Sequence, residues 1–307
     1  MFPRLRWPAR FAKLEPVSNA SYADAVLVAL GHGTELNDQS AAPVFLHAAE
    51  LRRRKIFRDV REAFWKQDPR IKDVLAGISA PRVFIAPLFI SEGYFASNVI
   101  PGALGFRYPD HLKLKIQNSE RFYCRPVGTH ERMTKVILAR AAEVVNTFPF
   151  PRAPKPAETT LFIAGHGTEK NQNSRTAIEL QADLIRAKNL YASVQTVFMD
   201  EEPRIAACHS LAQTKSCVVV PFFISDGLHV TEDIPVLLGE PDRLVKERHA
   251  AGQPTWRNPT EKHGKLFWYS PSVGTEPLLA DVILERVLEA AQSFSSSSSS
   301  SSSKIEA

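Results

Sequence analysis

The sequence predicts an α/β protein built from two tandem domains, each a four-stranded parallel sheet with helices on both faces. Three observations carry this. Short apolar runs alternate with segments of helical period, a pattern that implies parallel strands joined by right-handed helical crossovers. The order of elements repeats after a proline-rich stretch. In both repeats the first apolar run stops at Gly-His-Gly, as a buried parallel strand does on reaching the ligand edge of a sheet.

The first 22 residues, basic and interrupted by Pro3 and Pro8, read as a flexible leader. A first domain is expected over 23–148. DAVLVALG (24–31) is its opening strand, and Val44, Phe45, Ala48 and Leu51 set the spacing of a helix from Ala41 to about Lys55. A strand near Val60 to Trp65 follows, then a helix after Asp68-Pro69, the strand VFIAPLFI, and a loop, SEGYFASN, that leads into a short helix. The strand RFYCRPVG and the helix MTKVILARAAEVV close the half. The proline-rich FPFPRAPKPAE marks a linker over 149–159, and a second domain is expected over 160–294. The serine tract, 295–307, offers no side chains to bury and is expected to be disordered.

The repeat can be checked residue by residue. His32 and His166 stand 134 positions apart, and at that one offset Leu27 to Gly105 lies ungapped over Leu161 to Gly239 with 25 of 79 positions identical, which makes duplication a firmer guide to architecture than any single motif. Downstream, Tyr123 and Val127-Gly128-Thr129 match Tyr269 and Val273-Gly274-Thr275 at an offset of 146. A polar insertion near Asp242 to Asn258 explains the change.

Composition narrows the function. An apolar fraction of 44% with 23% charged residues is that of a soluble globular protein, and no run approaches the roughly 20 apolar residues of a membrane span. A cytoplasmic protein is expected. Three cysteines, Cys124, Cys208 and Cys217, without CxxC spacing, argue against a disulfide framework and a thiolate zinc site. The net charge of +5 fits a partner carrying several negative charges, without any nucleic-acid-binding signature.

The two copies differ where chemistry is expected. LFIAGHGTE (161–169) and CVVVPFFISDGLHVTEDIP (217–235) each end an apolar run near a histidine, so His166 and His229 meet at the ligand edge if their strands are neighbours. The first copy has His32 but carries Phe95 in place of His229 and Asn98-Val99 in place of Glu232-Asp233. Neutral imidazoles bind first-row divalent metals and accept protons near neutral pH, and a carboxylate such as Asp233 can fix the ring tautomer. A strand-end histidine can also simply cap a turn, and that structural role is the one expected of His32. Lys170, Arg175 and Arg204, which follow the strand ends, and Ser225 are candidates for binding substrate anions.

With GHGT at one strand end and PFFISDGLHVTEDIP at another, the sequence resembles the class II chelatases of the cobalamin and siroheme pathways, the CbiX-type sirohydrochlorin cobaltochelatase and ferrochelatase family. The likeness covers both copies, in the double-length form in which two fused halves replace a dimer. It implies two flavodoxin-like domains related by a pseudo-twofold axis across a cleft, a monomer being sufficient. It also implies insertion of Co2+, or next Fe2+, into sirohydrochlorin, a tetrapyrrole with eight carboxylates. The two metal-holding, proton-accepting histidines of the family fall on His166 and His229, a C-terminal placement more like the anaerobic cobaltochelatases. Many members carry a glutamate as a further metal contact four residues before the proline that follows the second strand. That position here is Met199, a soft neutral thioether that either contacts the metal weakly or lines the pocket. Neither Asp200 nor Glu201 can be assumed to replace the acid, since strand alternation lets only one share the side of Met199.

The chemistry exchanges two pyrrole N–H protons for one metal ion and needs no organic cofactor, nucleotide or membrane; neither GxGxxG nor a Walker A motif is present. Two other readings stay open: a tetrapyrrole or metal carrier on the same fold, and a histidine phosphatase. The phosphatase usually has arginine before its histidine, where Gly165 stands here.

Overall fold

A computed structural model describes residues 22–34, 38–167 and 172–299; residues 1–21 of the expected leader, Lys170 and the end of the serine tract lie outside the described residues, while Tyr22, the last residue of that leader, is buried in the core against Phe57 and Phe84. The first half runs β1 (Ala25–Gly31), α1 (Ala42–Arg54), β2 (Asp59–Phe64), α2 (Ile71–Ala76), β3 (Arg82–Pro87), α3 (Ile100–Ala103), β4 (Lys113–Ile116), β5 (Ser119–Tyr123) and α4 (Met133–Thr147). The second runs β6 (Thr159–Gly165), α5 (Asn173–Arg186), β7 (Ser193–Phe198), α6 (Cys208–Leu211), β8 (Ser216–Pro221), α7 (Ile234–Leu237), α8 (Asp242–Ala250), β9 (Thr260–Lys262), β10 (Lys265–Tyr269) and α9 (Leu279–Ser299). Strand order is the same in both, β2-β1-β3-β5-β4 and β7-β6-β8-β10-β9, as duplication requires.

Each sheet has five strands rather than the expected four. The four parallel strands are those read from the sequence, and the fifth, β4 or β9, pairs antiparallel with its successor at the edge. KLKI and TEK are short and half-exposed, so they lack the continuous apolar run that marks a buried parallel strand. β1 and β6, by contrast, are buried at all seven positions, because each has strands on both sides and helices on both faces.

The polar insertion folds as α8, against the segment that carries His229. The helix α9 extends to Ser299, five residues into the tract expected to be disordered. Elongation adds one hydrogen bond per residue to a helix already nucleated and packed, so serine's modest propensity is enough there.

The last helix of each half crosses to the other sheet. α4 packs on β8 and β10, and α9 packs on β3 and β5. One continuous apolar core results, containing Leu27, Phe84, Val136, Leu161, Val218, Trp268 and Ile283. Two buried arginines tie the exchange at equivalent places. Arg140 of α4 donates to the Ser272 carbonyl at 2.9 Å and to Thr275 Oγ1 at 2.7 Å, while Arg286 of α9 donates to the Pro126 carbonyl at 3.0 Å and to Thr129 Oγ1 at 2.7 Å. Truncating either would strand buried acceptors at about 1–3 kcal/mol each. The cysteines are free and buried, and burial pushes the Cys124 and Cys217 thiols up to about 12, as packing residues should be.

Candidate metal centre

β6 and β8 are parallel neighbours, so the segments that follow them meet at one edge of the sheet. His166 directly follows β6, and Gly167, at φ +70°, turns the chain away. The backbone of His166 is fixed from the next strand, its carbonyl accepting from the Met199 and Asp200 amides, both at 3.0 Å. His229 opens a π-helical turn, His229–Asp233, a form frequent at functional sites and shared by the first copy at Phe95–Val99. Two features seat that turn. Tyr269 Oη donates to the Val230 carbonyl at 2.7 Å, as Tyr123 Oη does to Ala96 at 2.8 Å in the first copy. Asp226, in the same loop, accepts from the Ser272 amide at 2.6 Å and from Thr275 Oγ1 at 2.9 Å. The Val-Gly-Thr repeat explains the close approach, since a Cβ on Gly274 would lie 1.8 Å from the Ile224 carbonyl oxygen.

The two imidazoles stand edge to face, 86° apart, with ring centroids 5.0 Å from one another. Each presents its Nδ1 to a carboxylate. His229 Nδ1 lies 2.7 Å from Asp233 Oδ2, and His166 Nδ1 lies 3.1 Å from Asp200 Oδ2 and 2.8 Å from the Gly167 carbonyl. A carboxylate or carbonyl at Nδ1 fixes the proton there and leaves Nε2 with its lone pair outward, the tautomer a metal ligand needs. The four side chains are 44 to 58% exposed, open enough for an ion and a substrate to reach them. Among the described residues, no group of three or more His, Cys, Asp and Glu side chains is arranged to hold an ion.

The first copy keeps the shape and reverses the chemistry. His32 Nδ1 meets the Gly33 carbonyl at 2.9 Å, but its ring faces Phe95, at 4.7 Å between centroids, where His166 faces His229. Lys66 occupies the place of Asp200, with Nζ 5.1 Å from the centre of the Phe95 ring. Burial and the Lys66 ammonium hold the His32 imidazole below its usual range.

The CbiX family profile matches residues 26–144 and 160–290. The probable sirohydrochlorin cobaltochelatase of Halobacterium salinarum is 41% identical over 278 residues, covering 86% of this chain and 91% of the relative. The chain belongs to the CbiX family. A sirohydrochlorin cobaltochelatase of Methanopyrus kandleri matches 42% of this chain over 95% of its own length at 27% identity, as a single-copy CbiX relative of a double-length chain would. Among solved structures, a multi-domain protein of Deinococcus radiodurans with structural similarity to chelatases superposes with a TM-score of 0.70 at 26% identity, over 87% of this chain and 55% of that one. The sirohydrochlorin chelatase SirB of Bacillus subtilis in complex with cobalt superposes at a TM-score of 0.58 over 89% of this chain and 97% of its own, at 17% identity, a likeness of fold.

In this CbiX-family chain the remaining sequence candidates fall in different places. Met199 is half-buried and packs on the apolar cluster that includes Phe162 and Val219, as Phe223 also does. Arg175 is held by Glu201 at 2.9 Å and the Glu202 carbonyl at 3.0 Å, and lies over the Phe198 ring, so it braces the 199–203 loop rather than waiting free for an anion. Arg204 is exposed and donates to the Met199 carbonyl at 2.7 Å. Ser225 is half-buried in the loop that leads to His229. Asp200 is the residue that sequence reasoning left unassigned. β7 ends at Phe198, so strand alternation no longer governs residues 199–201, and Asp200 turns to His166 while Glu201 turns to Arg175.

Proposed function

We propose that the chain inserts a divalent metal, Co2+ before Fe2+, into sirohydrochlorin, with His166 and His229 holding the incoming ion. The pairing of both imidazoles with carboxylates, in one copy only, is the observation that carries this reading. The metal is a substrate and must be given up to four pyrrole nitrogens, so two nitrogen donors completed by water suit the task better than a closed four-ligand cage. Metal and macrocycle exchange in a balanced step: the ion leaves the imidazoles, two N–H protons leave the ring, and the freed imidazoles, each backed by a carboxylate, are placed to accept them. The curated relatives of the family are named as cobaltochelatases, which supports cobalt as the first metal to test.

The test is anaerobic incubation of the chain with sirohydrochlorin and Co2+, Fe2+ or Ni2+ in turn, following the absorbance change of metallation. Multiple turnovers with Co2+ are expected. Stoichiometric binding of metal or tetrapyrrole without turnover would identify a carrier instead.

A further inference from the structure

The strand edge of the first copy is a built surface that the metal chemistry leaves unused. Phe95 stands edge-on to His32, at 82° and 4.7 Å between centroids, and Tyr94 packs on Phe95 at 5.9 Å while remaining 66% exposed. The Lys66 ammonium sits over this aromatic group, exposed, and no ion pair joins it to a carboxylate of the described residues. The loop that carries Tyr94 and Phe95 also touches the second half, where Asn173 Nδ2, at the start of the helix following the His166 turn, donates to the Glu92 carbonyl at 2.7 Å.

Duplication alone would give a metal site on each half. Here the second-copy Asp200 is matched by Lys66 and His229 by Phe95, so an arriving cation meets an ammonium and a hydrocarbon ring in place of a carboxylate and an imidazole. Those same replacements suit the other substrate. A conjugated polycarboxylate presents a flat apolar face, which aromatic rings accommodate, and peripheral anions, which an unpaired ammonium binds by charge-assisted hydrogen bonds.

We propose that the first copy has become the seat of the tetrapyrrole, with Lys66 pairing with one of its carboxylates and Tyr94 and Phe95 lying against its ring. The inference rests on the chelatase reading above and divides the work between the copies: metal on the second, macrocycle on the first. Lys66 is thus a specificity residue with two effects, excluding a cation from the first copy and retaining an anion there.

Binding of sirohydrochlorin to the full chain, measured by absorbance titration without metal, tests this alongside Co2+ titration without tetrapyrrole. Lys66→Met should weaken sirohydrochlorin binding about tenfold, the scale of one lost charge-assisted contact, and leave Co2+ affinity unchanged. Lys66→Arg should bind close to the parent. His166→Ala should show the reverse pattern, losing Co2+ and keeping sirohydrochlorin. If the parent binds sirohydrochlorin and Lys66→Met binds it equally well, the seat is elsewhere and the chelatase reading stands. If the parent binds no sirohydrochlorin, that reading falls and this inference with it.

Discussion

Asp200 and Lys66 occupy equivalent places 134 positions apart and bring opposite charges to the neighbourhood of their histidines. Asp200 lies 3.1 Å from His166 Nδ1, whereas the charge of Lys66 helps hold His32 neutral. Both charges are exposed and screened by solvent, so the effect is modest, but its reversed sign favours a cation in one copy and disfavours it in the other. The asymmetry of the duplicated chain is therefore electrostatic as well as a matter of ligand count.

Asp200→Asn and Asp233→Asn should each lower Co2+ affinity by about 10- to 100-fold, because each removes the carboxylate beside an imidazole proposed to hold the ion. Isothermal titration with Co2+ is the measurement. Isotherms that superpose on the parent's would show that neither carboxylate acts on the metal centre.

Met199→Glu should tighten metal binding and shift the preference among Co2+, Fe2+ and Ni2+, since a hard anionic oxygen replaces a soft neutral sulfur on a residue whose amide is bonded to the His166 carbonyl. Its half-burial against an apolar cluster means the new carboxylate is most stable when it reaches a cation. Unchanged titrations with all three metals would place position 199 away from the ion.

Much of this was legible in the sequence because duplication prints the same pattern twice. The apolar runs ending at Gly31 and Gly165 located the sheet edges, and the replacement of His229 by Phe95 marked the one copy in which two imidazoles meet. The helix exchange was not legible. The apolar stripe of α4 shows that one face is buried, but Val136 and Ile137 carry no mark of whose sheet buries them. β4 and β9 were hidden by their polarity, although the His263-Gly264 pair, with φ of +52° and +73°, has the backbone of a two-residue hairpin turn. Asp200 was missed because the alternation rule was carried past the end of a strand.

His47 should make the fold acid-sensitive. Its ring is buried, Nε2 meets the Gly274 carbonyl at 2.7 Å, and Nδ1 has no partner for a second proton. Burial lowers its pKa to about 4. The unfolded chain, titrating near 6.5, binds a proton the folded chain refuses, so this contribution is fully present above about pH 6.5 and lost as pH falls toward 4, by about 3 kcal/mol in all. The second copy has glutamine at this place, Gln181, whose Nε2 donates to the His130 carbonyl at 3.0 Å. His47→Gln should accordingly flatten the decline in urea midpoint between pH 6.5 and 4.5. A decline as steep as the parent's would assign the acid sensitivity to other groups.

The most direct test of a single active copy compares initial metallation rates of sirohydrochlorin with Co2+, under anaerobic conditions, for three alanine variants. His166→Ala and His229→Ala are expected to lose about 100-fold or more, as removal of a metal ligand should cause, while His32→Ala stays within about threefold of the parent. Equal losses from His32→Ala and His166→Ala would contradict the division between the copies and place chemistry on both.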